Sequence, residues 1–247
     1  MRYIVLSDMH ANIEALDAVL ADSAGVNGDR TLVLGDLVGY GADPNAVVDR
    51  VRAMPRAVVI RGNHDKVAAG LEPSDTFNHH ARAAIEWTSR ALTTESRVYL
   101  TDLAAGPVAI DDLVEICHGT PFDEDVYVFQ EAEALRSLRA AARPLCLYGH
   151  THVAAAYRLV DGAVRLSEPR REQQFEVTVS GEDRWLVNCG SVGQPRDGDW
   201  RAAYGVVDTD AQTVAVRRVE YDVATTQAKI VAAGLPEVLA HRLGVGR

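Results

Sequence analysis

Tyr3-Ile4-Val5-Leu6-Ser7-Asp8-Met9-His10 decides the fold, together with its two echoes, Thr31-Leu32-Val33-Leu34-Gly35-Asp36-Leu37-Val38-Gly39 and Ala57-Val58-Val59-Ile60-Arg61-Gly62-Asn63-His64-Asp65. Each opens on a short apolar run that leads into aspartate, histidine, asparagine or glycine. Apolar runs of this length, bounded by turn residues, read as buried strands. Between the first two, Ile13, Leu16, Val19 and Leu20 form a helical stripe within residues 12–24. Between the second and third, Pro44 suits the first turn of a helix, and Val47, Val48 and Val51 follow on one face. Strand, helix, strand, helix, strand predicts a parallel sheet with crossover helices. Ligands of such sheets bind at the carboxyl ends of the strands, and the polar motifs occupy those ends.

Two more motifs follow apolar runs further on, His118-Gly119 and Gly149-His150-Thr151-His152. The five motifs contain five of the chain's eight histidines. Singly, each polar residue reads as a cap or a turn; in this order they read as a ligand set. Asp8 and His10 stand two apart, a spacing that in extended chain points both side chains the same way. His150 and His152 repeat it. Asp36 has two oxygens and could bridge two ions, Asn63 offers an amide oxygen, and His118 adds an imidazole. No cysteine belongs to the set. Oxygen and nitrogen ligands suit Mn, Fe, Zn, Co or Ni. Two divalent (or mixed-valence) ions, less the charges of Asp8 and Asp36, leave about +2, or about +1 with a hydroxide between them. Such a centre attracts a phosphate dianion and, with its ions ~3.5–4 Å apart, can hold the attacking hydroxide in line. His64 is left free by its neighbour Asn63 and is the candidate general acid. His79 and His80 open a helix and match no ligand spacing, and His241 lies in the tail.

The remainder reads as follows. Residues 66–104 look like a helical insertion, with a stripe at Ala81, Ala84, Ile85, Thr88, Ala91 and Leu92. A hairpin turns at Asp111-Asp112, and a helix at 131–141 precedes a strand at 145–148. Strands are expected at 154–159, 163–166, 175–179, 184–187, 203–207 and 214–219. A mobile polar loop is expected at 167–174, and a helical tail over 224–243 is broken near Gly234-Leu235-Pro236. The simplest organisation is a single domain over 1–247, two packed sheets with helices outside.

Hydrophobic residues make up 47% of the 247 and charged residues 24%, a globular balance. The net charge of −10 argues against a nucleic-acid backbone as partner. Cys117, Cys146 and Cys189 are odd in number and widely spaced, as for buried reduced thiols in the cytoplasm. The first apolar run is too short for a signal peptide, and no run approaches the ~18 residues of a membrane span. Edge strands could pair with another copy, but nothing specifies a partner or an oligomeric state.

The ordered set Asp-x-His, Gly-Asp-x-x-Gly, Gly-Asn-His-Asp, His-Gly and Gly-His-Thr-His resembles the calcineurin-like metallophosphoesterase superfamily. Gly35-Asp36-Leu37-Val38-Gly39-Tyr40-Gly41, Asn188-Cys189-Gly190-Ser191 and Gly193-Gln194-Pro195-Arg196 are similar to its small bacterial and archaeal branch. The resemblance implies a four-layer αββα sandwich of two mixed sheets. It implies one metal held by Asp8, His10, Asp36 and His152, and a second by Asp36, Asn63, His118 and His150. It implies metal-dependent hydrolysis of a small phosphoester, as phosphatase or phosphodiesterase. Nucleotide or dinucleotide polyphosphate hydrolysis and protein dephosphorylation are the variants within that class. A non-catalytic interaction module or a metal sensor on the same fold is the alternative outside it. Where the superfamily's protein phosphatases carry Asp-Arg-Gly, this chain has Gly39-Tyr40-Gly41, so the phosphate-holding arginine and the aspartate that orients the histidine must come from elsewhere. Asp65 or Asp43 is expected to orient His64, and Arg61 or Arg196 to hold phosphate. Gly190 and Ser191 are expected to offer backbone N–H groups to it. His64 stands where phosphodiesterase-leaning relatives have cysteine, which keeps monoester cleavage open.

Overall fold

Alternation along the first strand sets up two cores at once. In β1 (Arg2–Leu6), Ile4 and Leu6 point to one face of the sheet, and Tyr3 and Val5 to the other. This is a computed structural model, and it describes residues 1–169, 175–180 and 183–247. β1 pairs in parallel with β2 (Arg30–Val33), which pairs in parallel with β3 (Val58–Val59). The crossovers are α1 (Ile13–Ser23) and α2 (Pro44–Arg52). Asn12 caps α1 by accepting the N–H of Ala15, and Pro44 stands in the first turn of α2. β3 is shorter than the apolar run that encodes it, because Ile60 has already left to bridge Ala104.

The third motif opens a helix. α3 (Asn63–Ala69) starts at Asn63 itself, followed by α4 (His79–Ala91) and α5 (Thr94–Asp102). Then come β4 (Val108–Ala109), β5 (Val114–Ile116), α6 (Glu131–Ala140) and β6 (Leu145–Tyr148). β7 (Ala155–Val160), β8 (Ala163–Ser167), β9 (Phe175–Thr178), β10 (Arg184–Asn188), β11 (Ala202–Asp208) and β12 (Thr213–Val219) complete the strands, and α7 (Val223–Ala232) and α8 (Glu237–His241) close the chain. The loop expected at 167–174 lies largely outside the described residues.

The strands form two mixed six-stranded sheets, in the orders β3-β2-β1-β11-β12-β9 and β4-β5-β6-β10-β7-β8. Tyr3, Val5, Leu32 and Leu34 of the first meet Leu145, Leu147, Trp185 and Val187 of the second in one buried layer. The outer face of the first sheet packs on α1 and α2 through Leu16, Val19, Val47 and Val51. The outer face of the second packs on α6 through Ala134 and Leu138. This is the four-layer αββα sandwich that the resemblance implied. A fully buried leucine or valine in these layers contributes ~1.5–3 kcal/mol. No described helix is long and apolar enough to cross a membrane, and the three cysteines are buried and unbridged.

The topology also gathers strand ends. β5, β6 and β10 run parallel in the second sheet, as β1, β2 and β3 do in the first. Five of the six carboxyl ends carry one of the five polar motifs and the sixth, that of β10, carries Asn188-Cys189-Gly190-Ser191; the motifs' acidic and histidine side chains meet between the two sheets.

Candidate metal centre

The loops after β1 and β2 are laced together by their backbones. The N–H groups of Asp8, His10 and Ala11 donate to the carbonyls of Gly35, Asp36 and Leu37 at 3.0, 3.0 and 2.9 Å. The backbone is unusual here and at the second histidine pair. Asp8, His10, Asp36, His150 and His152 all have φ between 47° and 66°. The expected geometry for the two i, i+2 pairs was extended chain; the chain is instead left-handed at all four residues. Side chains here are aimed by local strain of about 1–3 kcal/mol per residue, which the lacing and the surrounding buried packing hold in place. Gly193 and Val192 clamp the same loop from the second half, donating to Asp8 and Ser7 carbonyls.

Two clusters of ligand atoms result. One atom each from Asp8, His10, Asp36 and His152 lie within 4.8 Å of one another, and so do atoms from Asp36, His118 and His150. Asp36 belongs to both. Asn63 Oδ1 lies 3.2 Å from His118 Nε2, at the second cluster. Each histidine has one ring nitrogen against a backbone carbonyl: His10 Nδ1 on Val38, His118 Nδ1 on Leu34, His152 Nδ1 on Gln194 and His150 Nε2 on Asp125. A carbonyl only accepts, so that nitrogen carries a proton; in His10, His150 and His152, which burial keeps neutral, the other nitrogen presents a lone pair inward.

A direct consequence tests the fit to a cation. His10 Nε2 and His152 Nε2 lie 3.0 Å apart, each with its proton on the far side of the ring. Two lone pairs at that distance repel, beside Asp36 Oδ2 at 3.5 Å and Asp8 Oδ1 at 3.4 Å. The arrangement suits an ion that accepts from all four.

The electrostatics agree. Burial pushes Asp8 up to about 7, with Asp36 adding to it. Burial also opposes the charge on Asp36, but His118 and His64 outweigh it and hold Asp36 well below the usual carboxylate range. Burial lowers His10 and His152 far below the ordinary imidazole value, and His150 to about 3. His118 goes the other way. Burial lowers it, but Asp36 overcomes this and raises it to about 10. With no metal, a proton on His118 neutralises Asp36; a divalent ion would take that proton's place.

His64 stands beside the clusters and outside them. Its N–H donates to Asp36 Oδ1 at 2.9 Å, and its ring packs on Tyr40, Phe77 and His10 at 4.5, 4.7 and 4.8 Å between centroids. Its Nδ1 is sealed in without a partner, and burial brings its pKa down to about 4. Gly39, at φ +90°, leaves room for the ring: a Cβ there would stand 2.3 Å from Nδ1.

The orienting residues expected for His64 do other work. Asp65 accepts from Val38 N and Gly62 N, capping α3, and makes no hydrogen bond to the buried Nδ1 of the imidazole. Asp43 pairs with Lys229. Aromatic packing orients His64 instead. Arg61 pairs with Glu124 in a fork and is not free for phosphate. The Gly190 N–H donates to Asn188 Oδ1 and so is not free for phosphate, as was expected of it, while the Ser191 hydroxyl donates to the Asp8 carbonyl and braces that loop. Arg196 is the expected contact that does reach the site: its N–H donates to the His152 carbonyl, and its guanidinium lies 5.6 Å from the Tyr40 ring. His79, His80 and His241 are exposed.

Sequence reading missed Tyr40, the ring that joins His10, His64 and Arg196, although its place between two glycines was visible. It also missed Tyr127, stacked on His150 at 3.7 Å, and the carbonyl acceptors, which carry no side-chain signal.

A family model described as the calcineurin-like phosphoesterase superfamily domain matches residues 1–212. The chain belongs to the calcineurin-like phosphoesterase superfamily. The uncharacterized protein MJ0912 of Methanocaldococcus jannaschii is 33% identical over 98% of this chain and 97% of its own length. The crystal structure of a metallophosphoesterase from Sphaerobacter thermophilus is similar at 40% identity and a TM-score of 0.86, covering 100% of this chain and 99% of that one. The hypothetical protein PH1004 of Pyrococcus horikoshii OT3 shares the fold at 20% identity and a TM-score of 0.80, covering 100% and 98%. Calcineurin-like phosphoesterases are metal-binding hydrolases of phosphoesters, and the two buried clusters of this member are able to hold ions.

Proposed function

We propose that this chain is a metal-dependent hydrolase of small-molecule phosphoesters. The observation that carries the reading is the convergence of buried lone pairs, with His10 and His152 nitrogens 3.0 Å apart beside two carboxylates. Asp8, His10, Asp36 and His152 would hold one ion, and Asp36, Asn63, His118 and His150 the other. When bound, the ions supply the positive charge that draws a phosphate in and the acidity that makes water nucleophilic at neutral pH.

The chain's own groups do the rest. The carbonyls of Val38, Leu34, Gln194 and Asp125 keep the ligand histidines in the required tautomers. Arg196, whose guanidinium lies 5.6 Å from the Tyr40 ring, contributes positive charge beside the centre. His64 delivers a proton to the leaving oxygen, held in place by Tyr40, Phe77 and the open Gly39 backbone. The resting ring is neutral, and the negative charge of a bound phosphate favours the protonated form.

The test is turnover of p-nitrophenyl phosphate and bis-p-nitrophenyl phosphate by metal-stripped protein, with Mn, Fe, Zn, Co or Ni added back. Turnover restored by metal supports the reading, and the monoester-to-diester ratio separates phosphatase from phosphodiesterase. Metal binding with no turnover of either ester sinks it in favour of a metal-sensing or interaction module.

A further inference from the structure

Val126-Tyr127-Val128-Phe129 runs without regular structure ahead of α6, yet it alternates as a strand does. Val128 turns inward and is buried with Ala134 and Leu138. Tyr127 and Phe129 turn the other way, and among the described residues they are the only exposed Phe, Trp or Tyr. Their rings lie 9° from parallel with centroids 5.3 Å apart, an offset stack. Tyr127 also stacks on His150, at 24° and 3.7 Å. Exposure rises along this row, from 3% at His150 to 41% at Tyr127 and 61% at Phe129. The row starts at a residue of the second cluster and ends in open solvent.

The loop that carries the two rings is anchored. Lys66 Nζ stands 2.6 Å from Asp125 Oδ2, Arg61 forks onto Glu124, and the Asp125 carbonyl meets His150 Nε2 at 3.1 Å. The rings are therefore in place before any ligand arrives, which lowers the cost of binding one. The size of the patch decides what fits. A specific protein interface takes about 800 Å² from each partner, whereas here two rings stand next to exposed Asp123, Asp125, Gln130 and Glu131. One flat ring system matches them. Aromatic side chains hold nucleic-acid bases by stacking, whatever the base, because every base has a π-face.

We propose that Tyr127 and Phe129 form a stacking subsite for a planar aromatic group on the leaving alcohol of the phosphoester, as a nucleoside carries its base. As a statement about substrates this rests on the phosphoesterase reading; as a statement about ring binding it does not. A phosphate at the candidate centre lies at the buried end of the row, and the aromatic group of its alcohol lies against the open end. Phe129 is one ring removed from His150, so its loss bears on the subsite more than on the cluster.

The experiment compares esters that share a phosphate and a sugar and differ in the ring. Metal-loaded protein is assayed on AMP, CMP and ribose 5-phosphate. Separately, the protein is titrated with adenosine, which has no phosphate to lose, while the Tyr127 and Phe129 ring resonances are followed by NMR. Wild type is expected to show a KM about tenfold lower for AMP and CMP than for ribose 5-phosphate, the scale of one stacked base, and adenosine is expected to shift both rings. Phe129→Ala erases most of that preference, and Phe129→Trp, which keeps a flat ring, retains it. A preference that survives in Phe129→Ala overturns the subsite, as does one confined to a single base, because stacking tolerates them all. Equal KM values for the three esters in wild type, or adenosine that shifts neither ring, also overturn it. Ring shifts with adenosine in a protein that hydrolyses no phosphoester leave the subsite standing and remove the phosphoesterase reading.

Discussion

Gly39→Ala isolates the packing of His64 from metal binding. The added Cβ would lie 2.3 Å from His64 Nδ1, 3.1 Å from Cγ and 3.3 Å from Cβ. A normal contact needs the ring to retreat by ~1 Å, a displacement of the size that costs about 10²-fold in rate when it falls on a reacting group. Tyr40, Phe77 and His10 block that retreat. Gly39 also has φ +90°, where an L-residue costs ~1–2 kcal/mol, and overpacking adds ~1–3 kcal/mol. For a chain of this length the sum lowers Tm by roughly 10 °C. Turnover of p-nitrophenyl phosphate should fall about 10²-fold, while bound metal, measured by elemental analysis, stays at the wild-type level. Phe77→Ala gives the ring somewhere to go, so the double variant should lose less stability than the two single losses added. Unchanged Tm with full turnover would refute the packing argument. Metal lost in step with activity would refute the placement of His64 outside the ligand clusters.

Asp36→Asn should weaken both ion sites together and abolish nearly all turnover; calorimetric titration with Mn that still resolves one wild-type site would contradict a shared ligand. His64→Ala should keep its metal and lose about 10²–10⁴ in rate, most for esters with poor leaving groups, and a uniform loss across leaving groups would count against proton donation. Asn188→Ala removes buried bonds to Gly149 O, Thr151 Oγ1 and Gly190 N. It should cost about 2–4 kcal/mol in urea unfolding, and a cost near zero would show that the loop before His150 is held elsewhere. Glu115 is buried and its pKa is raised, chiefly by desolvation. Its stabilising contribution is therefore present below the unfolded pKa and lost as pH rises through the folded one. Glu115→Gln should accordingly gain stability relative to wild type as pH rises, and a gap that closes instead would reverse the assignment.

Much of the frame was legible because it is written in periodicity. The four-residue runs at 3–6, 31–34 and 145–148 are too short for helices and read as buried strands, and the stripe from Ile13 to Leu20 reads as a crossover helix. Residue type and order likewise picked out the residues that the fold gathers into the two clusters, since aspartate, asparagine and histidine at successive strand ends have few other reasons to recur. The backbone conformation was not legible. Asp8, His10, His150 and His152 are not residues that demand a positive φ, so extended geometry was the natural expectation; the first pair is held by the lacing to Gly35, Asp36 and Leu37, and the second by the His150 N–H on the Asp8 carboxylate and the Arg196 N–H on the His152 carbonyl. Partnerships set by tertiary contact were equally hidden. Asp65 follows His64 in sequence, yet it turns back to cap its own helix, and Gly190 spends its N–H on Asn188.

The neighbour of β1 in the first sheet has a consequence for how the protein is made. β1 lies between β2 and β11, and β11 begins at Ala202. The Asp8 loop is gripped by Ser191, Val192 and Gly193. A ribosome therefore releases all the residues of the two clusters, from Asp8 to His152, well before it releases the residues that brace them. Until some two hundred residues have emerged, the nascent chain carries Tyr3, Val5 and Leu32 with part of their cover missing. Contacts spanning such sequence separations form slowly, and exposed strand edges associate while they wait. The amino-terminal strand, the first part synthesised, is among the last to be locked, so expression yield should respond more to changes near residue 200 than to changes of equal severity in α6.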